Sequence, residues 1–406
     1  MLFLFEDFTL DEDRRELRRG PEMIAVEPQV FDLLVYLIQN RERVVSRDDL
    51  IASVWGGRIV SESTLASRIN AARHALGDSG EAQRLIKTIQ RKGIRFVGEL
   101  RDAAVAPPAR QTQPTQNVSF RRTSDGVHLA LATSGAGLPV VKTANWLNHI
   151  EYDWQSPVWS PLIARLSEHF RLIRYDERGN GLSDWNVEDI SFEAMVHDLE
   201  TVVDGLGLKR FSLLGISQGA AVAIAYATRH PERVSRLVLL GGYAQGWRKR
   251  GDTLEIAQRE ALESLVRFGW GQDNPAFRQV FTSLFIPGGT PEQMQWWNDL
   301  QRVSTSPENA VRLMRAFGDI DVTDLLGRVS APTLVLHSRG DARVPFDQGL
   351  ALARGIPGAQ FVALDSNNHM VLSHEPAWRR FTDEVTRFLA DDAETLPDPL
   401  RGIGTT

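Results

Sequence analysis

Two dissimilar domains are expected from this chain, a small α+β domain followed by a larger α/β domain with a parallel sheet. Over the first hundred residues, short alternating apolar runs give way to apolar residues spaced by three and four, then to another alternating pair. From about residue 118 onward, strand-like apolar runs alternate with helical stretches, the pattern of a parallel sheet covered by helices. Between them, RDAAVAPPARQTQPTQN (101–117) holds three prolines, three glutamines and a single large apolar residue, Val105, so it reads as a flexible linker.

Composition narrows the chemistry. The chain of 406 residues is 42% hydrophobic and 24% charged, an ordinary balance for a folded protein. It contains no cysteine, which excludes disulfides, thiolate metal sites and a cysteine nucleophile; no metal site or cofactor is expected. MLFLFEDF lacks a basic leader and no apolar run reaches about 18 residues, so neither export nor a membrane partner is expected, and a cytoplasmic location is. The net charge of −6 conceals a basic stretch: residues 61–97 carry seven Lys and Arg against three Asp and Glu. Such a local surface can bind phosphate although the whole chain is acidic.

In the N-terminal domain, placed at 1–100, the runs Leu2 to Phe5, Phe8 to Leu10 and Met23 to Val26 predict a small antiparallel sheet. Pro28 opens a helix through Phe31, Leu34, Val35 and Ile38, and Ser46 with Asp49 opens a second. In a third helix, 61–76, Leu65, Ile69, Ala72 and Leu76 share one narrow arc. Ser63, Ser67, Asn70, Ala71 and His74 occupy the opposite face, with Arg68 and Arg73 flanking it. Short polar groups there suit base edges, and long cations suit phosphates. Two short apolar runs around Arg91 and Lys92 then predict a hairpin with a basic tip.

Taken in order, VVSRDDLIASVWG (44–56), STLASRINAARHALGD (63–78) and LIKTIQRKGIRF (85–96) resemble the winged-helix domain of OmpR/PhoB-type transcriptional regulators. The resemblance implies that helix 61–76 is a recognition helix, that Arg91 and Lys92 lie on the wing, and that the partner is double-stranded DNA. Ser67, Arg68, Asn70, Arg73, Arg91 and Lys92 are the candidate DNA-binding residues. Asn70 and Ala71 stand where such regulators often carry arginines, and Ile94 replaces the usual aromatic after the wing glycine.

In the second domain, strands are expected at Leu172 to Tyr175, Phe211 to Leu214, Arg236 to Leu240, Thr333 to His337 and Phe361 to Leu364. Gly215-Ile216-Ser217-Gln218-Gly219 follows one of them and precedes an Ala-rich helix. In such a strand-to-helix elbow the flanking glycines give room for a strained turn that exposes the serine at a helix N-terminus. Asp341 and His369 follow in order, each in a loop after a strand. An imidazole to take the serine proton and a carboxylate to fix the imidazole tautomer complete the set that acyl transfer needs. His374 competes with His369 but stands nearer the following helix.

With RYDERGNGLSDW (174–185) and ATRHPERVSRLVLLGGYA (227–244), these motifs resemble the α/β-hydrolase superfamily over 118–392. The resemblance implies Ser217, Asp341 and His369 as a triad, a cap at about 244–324, and an oxyanion hole from the amides of Trp146 and Gln218. Asn145 takes the place of the glycine usual in that loop. The expected fold is thus a winged helix-turn-helix followed by an α/β-hydrolase fold with a helical cap, ending in a loose tail at 393–406. Cap aromatics, among them Trp270, Trp296, Trp297, Phe268, Phe277, Phe281 and Phe285, either fill the core or favour an apolar ligand.

No receiver domain with a phosphorylatable aspartate is evident, so the hydrolase domain occupies the sensory place. The expectation is a one-component regulator, acting as a homodimer, whose serine hydrolase domain senses and cleaves a small apolar ester, thioester or lactone. Two alternatives stand beside it: a working esterase or lactonase with a vestigial or localising DNA-binding domain, and a catalytically inactive ligand sensor.

Overall fold

The computed structural model describes residues 2–12, 15–20, 22–55, 60–89, 92–98, 100–101, 115–251, 253–272 and 274–391. Most of the expected linker, all of the expected tail and Arg91 lie outside these. The chain divides into two compact units, Met1–Gln111 and Thr112–Thr406. Among the described residues no helix is long and apolar enough to cross a membrane.

The first unit runs β1 (Leu2–Phe5), β2 (Phe8–Asp11), β3 (Glu16–Arg19), β4 (Glu22–Ile24), α1 (Pro28–Gln39), α2 (Arg47–Trp55), α3 (Glu62–Ala75), β5 (Ile86–Ile89), β6 (Gly93–Phe96) and β7 (Leu100–Arg101). Strands β4-β3-β2-β1-β7 form one sheet, and β5 and β6 form a separate hairpin. β3 was not expected, because Leu17 is its one apolar residue among Glu16, Arg18 and Arg19; pairing with β2 makes it a strand. Helix starts follow the sequence signals. Pro28 sits in the first turn of α1, Ser46 and Asp49 cap α2 reciprocally at 3.1 Å each way, and the Ser61 hydroxyl accepts from Thr64 N. Leu65, Ile69, Ala72 and Leu76 are all buried against α1 residues and the hairpin.

Two buried polar side chains join α3 to that hairpin. The Asp78 carboxylate accepts from the backbone N–H groups of Ser79, Arg84, Leu85 and Ile86. Burial alone would raise its pKa; these donors hold it below the usual carboxylate value. The Arg73 guanidinium donates to Ile86 O at 3.1 and 3.0 Å and to Thr88 Oγ1 at 2.8 Å. At Gly93 a side chain is excluded, since a Cβ would fall 2.0 Å from Val45 O, where Val45 bridges to Ile94.

The second unit runs β8 (Asn117–Arg122), β9 (His128–Ser134), β10 (Pro139–Lys142), α4 (Ile150–Trp154), α5 (Ser160–Ser167), β11 (Arg171–Tyr175), α6 (Phe192–Gly205), β12 (Phe211–Ile216), α7 (Gly219–Arg229) and β13 (Val234–Leu240). Five helices follow: α8 (Thr253–Gly269), α9 (Pro275–Phe285), α10 (Pro291–Ser304), α11 (Pro307–Asp319) and α12 (Thr323–Leu326). Then come β14 (Thr333–Ser338), α13 (Phe346–Gly355), β15 (Gln360–Leu364) and α14 (Pro376–Ala390). The sheet order is β15-β14-β13-β12-β10-β11-β9-β8. Its first six strands are parallel, whereas β9 runs antiparallel to β11, and β8 to β9. The expected parallel sheet is therefore mixed, because the turn 123–127 between β8 and β9 is too short for a crossover. Every residue of β12 is buried, as are Gly219 to Ala227 of α7, so the turn between them rests on a rigid base.

Candidate functional site

Ser217 stands between β12 and α7 with φ at +55°, the left-handed region that a non-glycine residue rarely adopts. Its neighbours make the turn possible. A Cβ at Gly215 would fall 2.6 Å from Ala220 Cα, and one at Gly219 would fall 2.6 Å from Ala144 O. The turn is tied down by Ser217 N donating to Leu240 O at 3.0 Å.

Asp341 and His369 meet beyond the carboxyl ends of β14 and β15. His369 Nδ1 lies 2.7 Å from Asp341 Oδ2, while Asp341 Oδ1 accepts from the N–H groups of Arg343 at 2.8 Å and Val344 at 3.0 Å. Both side chains are almost fully buried. The histidine loop is held from the cap, because His369 N donates to Phe285 O at 2.8 Å and the Phe285 ring meets the imidazole edge-on at 5.6 Å. His369 Nε2 is buried without a hydrogen-bond partner; in this structure it is not bonded to Ser217 Oγ. Gly241 lies beside the pair, and a Cβ there would come within 3.0 Å of His369 Cε1. His374, the competing histidine, is exposed.

A cavity opens at Ser217. Ser217, Gln218, Trp146, Tyr243, Phe285 and Phe317 line it together with three arginines, Arg250, Arg259 and Arg343. It encloses about 30 Å³, room for about two waters, so its occupant is short unless side chains move. No backbone carbonyl among the described residues accepts from the N–H of Trp146 or of Gln218. The Trp146 ring stacks on Trp270 at 5.4 Å and meets Phe281 edge-on at 5.3 Å, so those cap aromatics hold the loop as core while Phe285 faces the cavity. Phe268 and Phe277 point outward instead. Behind the loop, Lys142 donates to Asn145 Oδ1 and lies 4.9 Å over Trp159. Burial lowers the Lys142 pKa, against the pull of Asp153. Glu177 is also buried, and burial followed by the charge of Asp198 pushes it up to about 8.

Sequence reasoning missed His337 and the arginines. His337 Nε2 lies 3.0 Å from Val344 O and 3.5 Å from Asp341 Oδ2, and burial lowers its pKa. Beside the aromatic walls, which suit an apolar group, the cavity also presents three guanidiniums. Their only sequence signal was Arg343 standing two residues after Asp341; Arg250 and Arg259 come from the cap, where side-chain direction is decided by tertiary packing.

On the first unit, Ser63, Ser67, Asn70 and His74 are exposed on one face of α3, and Lys87 and Lys92 are exposed on the hairpin. Arg91 lies outside the described residues. Arg73 does not join that face. It stands about 40° around the helix from Ile69, close enough to the hairpin for its guanidinium to be consumed there, and only 6% of it is exposed. Arg68 pairs with Glu27, Arg84 with Glu6, and Arg95 donates to Arg41 O. Much of the basic stretch is thus neutralised or used within the domain.

Comparison with known proteins bears on both units. Residues 21–96 match the family model described as transcriptional regulatory protein, C terminal, and residues 152–286 match that of the alpha/beta hydrolase fold. The AB hydrolase superfamily protein YisY of Bacillus subtilis is 29% identical over 252 residues, 62% of this chain and 91% of its own length. A putative carbamate hydrolase, RutD of Rhizobium rhizogenes, is 27% identical over 241 residues, 58% of this chain and 88% of its own. Among solved structures, an esterase from Exiguobacterium antarcticum superposes with a TM-score of 0.56 at 25% identity, covering 67% of this chain and 99% of its own. A bromoperoxidase from Bacillus anthracis, at 23% identity, 68% of this chain, 100% of its own and a TM-score of 0.58, shares the fold.

Proposed function

We propose that this chain, in which a DNA-binding regulator domain is joined to an α/β-hydrolase domain, is a one-component transcriptional regulator that senses and cleaves a small ester, thioester or lactone. The observation that carries the reading is the imidazole of His369, held through Nδ1 by Asp341 at 2.7 Å with Nε2 unpartnered, in a domain whose strand-to-helix elbow sets Ser217 on a cavity wall. Ser217 Oγ attacks the scissile carbonyl as Nε2 takes its proton, and the resulting imidazolium is stabilised by the Asp341 carboxylate. The amides of Gln218 and Trp146 are the donors for the oxyanion, each worth about 10²–10³ in rate. The imidazolium then gives its proton to the leaving oxygen or sulfur. Water, deprotonated by the same nitrogen, cleaves the acyl-serine, releasing a carboxylic acid and restoring the serine.

Ligand occupancy shifts a homodimer between states of different operator affinity, to the extent that the ligand prefers one of them. Treating the full chain with a fluorophosphonate, with Ser217→Ala as control, and capturing genomic DNA with and without the reagent test both halves. Labelling at Ser217 together with altered DNA capture supports the reading. Labelling and turnover without operator binding would leave a working esterase with a localising or vestigial DNA domain, a reading favoured by the internal use of Arg68, Arg73, Arg84 and Arg95. Ligand-dependent DNA binding without labelling would leave an inactive sensor, a reading favoured by the missing hydrogen bond between Ser217 and His369.

A further inference from the structure

We infer that the cavity beside Ser217 recognises substrates carrying a carboxylate in addition to the bond to be cleaved, and that Arg343 is the residue that reads it. The inference rests on the serine-hydrolase reading of the same cavity and narrows its substrate class. Charge is the first ground. Three guanidiniums reach the cavity wall, and the carboxylate that faces them is Glu255, bonded to both Arg250 and Arg259. Those two are further occupied, Arg250 donating to Gln245 O at 2.7 Å and Arg259 to Arg343 O at 2.6 Å. Arg343 is different. Its guanidinium makes no hydrogen bond or ion pair among the described residues, and its Nη1 is buried. Nothing but the faces of Phe285 and Phe281, 5.1 and 5.6 Å away, holds it.

Arg343 as a whole is half-buried, but its Nη1 is closed off from water without an acceptor, and a buried donor left without a partner is costly. The buried arginines elsewhere in this domain all find acceptors, Arg178 in Asp198 and Asp125, Arg174 in Gln116 and Ile150 O, and Arg278 in Gln272 O. The exception at Arg343 therefore asks for an anion from outside, and the planar fork matches a carboxylate with two parallel hydrogen bonds. Position is the second ground. The Arg343 N–H holds Asp341, and Phe285 touches both the Arg343 guanidinium and the His369 ring, so an anion on Arg343 lies within a short acyl chain of the reacting serine.

The full chain is assayed with two esters of the same shape, p-nitrophenyl hemisuccinate and p-nitrophenyl butyrate, which differ in a terminal carboxylate against a methyl. The parent is expected to favour the hemisuccinate at least about tenfold in kcat/KM, and Arg343→Gln to remove most of that preference, whatever it does to butyrate. Arg343→Lys, which keeps charge but loses the fork, falls between. Equal kcat/KM for the two esters in the parent, or an unchanged ratio in Arg343→Gln, overturns the inference. Succinate itself gives a readout free of turnover: it should raise the thermal unfolding temperature of the parent and of Ser217→Ala but not of Arg343→Gln. If neither ester is cleaved yet succinate stabilises the parent through Arg343, the hydrolase reading fails while the anion site stands. Inorganic phosphate stabilising as strongly as succinate would overturn the assignment to a carboxylate.

Discussion

Replacing Asp341 with asparagine exchanges one oxygen for an NH2 group, and the surrounding donors decide which one. Oδ1 receives the N–H groups of Arg343 and Val344 at 2.8 and 3.0 Å, so the amide oxygen must stay there. Its NH2 then faces His369 Nδ1 at about the present 2.7 Å, where it can only donate. Nδ1 has to accept, and the ring proton moves to Nε2, the atom that should take the serine proton. With the base blocked by its own proton, kcat should fall by about 10⁴, or about 5.4 kcal/mol of transition-state stabilisation. Steady-state cleavage of an activated aryl ester, normalised by fluorophosphonate titration of the parent, measures the loss. Thermal unfolding should move by no more than about 3 °C, since shape and the two backbone bonds persist. A folded Asp341→Asn enzyme retaining more than about a tenth of parental turnover would refute the assigned roles, because no tautomer argument allows so small an effect.

Other outcomes test other parts. Lys92→Ala should weaken DNA binding across all sequences and lower the slope of log affinity against log salt by about 0.9, read by titration at several salt concentrations. Arg73→Ala should leave that slope alone but strand Ile86 O, costing about 2–3 kcal/mol and lowering unfolding of the small domain by about 10–20 °C in calorimetry; a changed slope with unchanged stability would return Arg73 to the DNA face. Glu177, with a folded pKa pushed up to about 8 from an unfolded value near 4.5, holds a proton that the unfolded chain has lost between those pH values. Its contribution to stability is therefore present at low pH and declines by about 1.4 kcal/mol per unit as pH rises to about 8. Glu177→Gln should flatten that decline in urea unfolding from pH 5 to 8, and an identical pH slope in parent and variant would count against burial of an ionisable Glu177.

The elements legible in the sequence were those whose signals are local. Pro28 marks a helix start by its fixed backbone angle, the Ser46 and Asp49 pair and Ser61 do so through bonds within one turn, and Gly215 reports a clash with nearby Ala220. What escaped depends on neighbours distant in sequence. Leu17 gives a single apolar residue to β3, so only its partner strand reveals it. Arg73 and Arg68 occupy comparable edges of the α3 wheel, yet one is buried against β5 and the other paired with Glu27, choices that no periodicity encodes. Arg343 was visible as a letter beside Asp341; its lack of a partner exists only once Phe281 and Phe285 of the cap are brought around it.

Asp78 and Arg73, two buried side chains at the end of α3, make four hydrogen bonds to the β5 strand and three more to the connection that leads into it. On the proposed reading, in which α3 is the recognition helix and the β5–β6 hairpin the wing, the two form a single lever. A signal cannot adjust the angle between them without exposing a charged group in the domain interior, so graded tuning of the DNA grip from within the domain is closed off. Control has to act on the lever as a whole, through where it is held or how many copies engage one operator. For that kind of switch, the span of the operator half-sites is the quantity to vary: a ligand effect that depends on their spacing, and vanishes on an isolated half-site, is its signature.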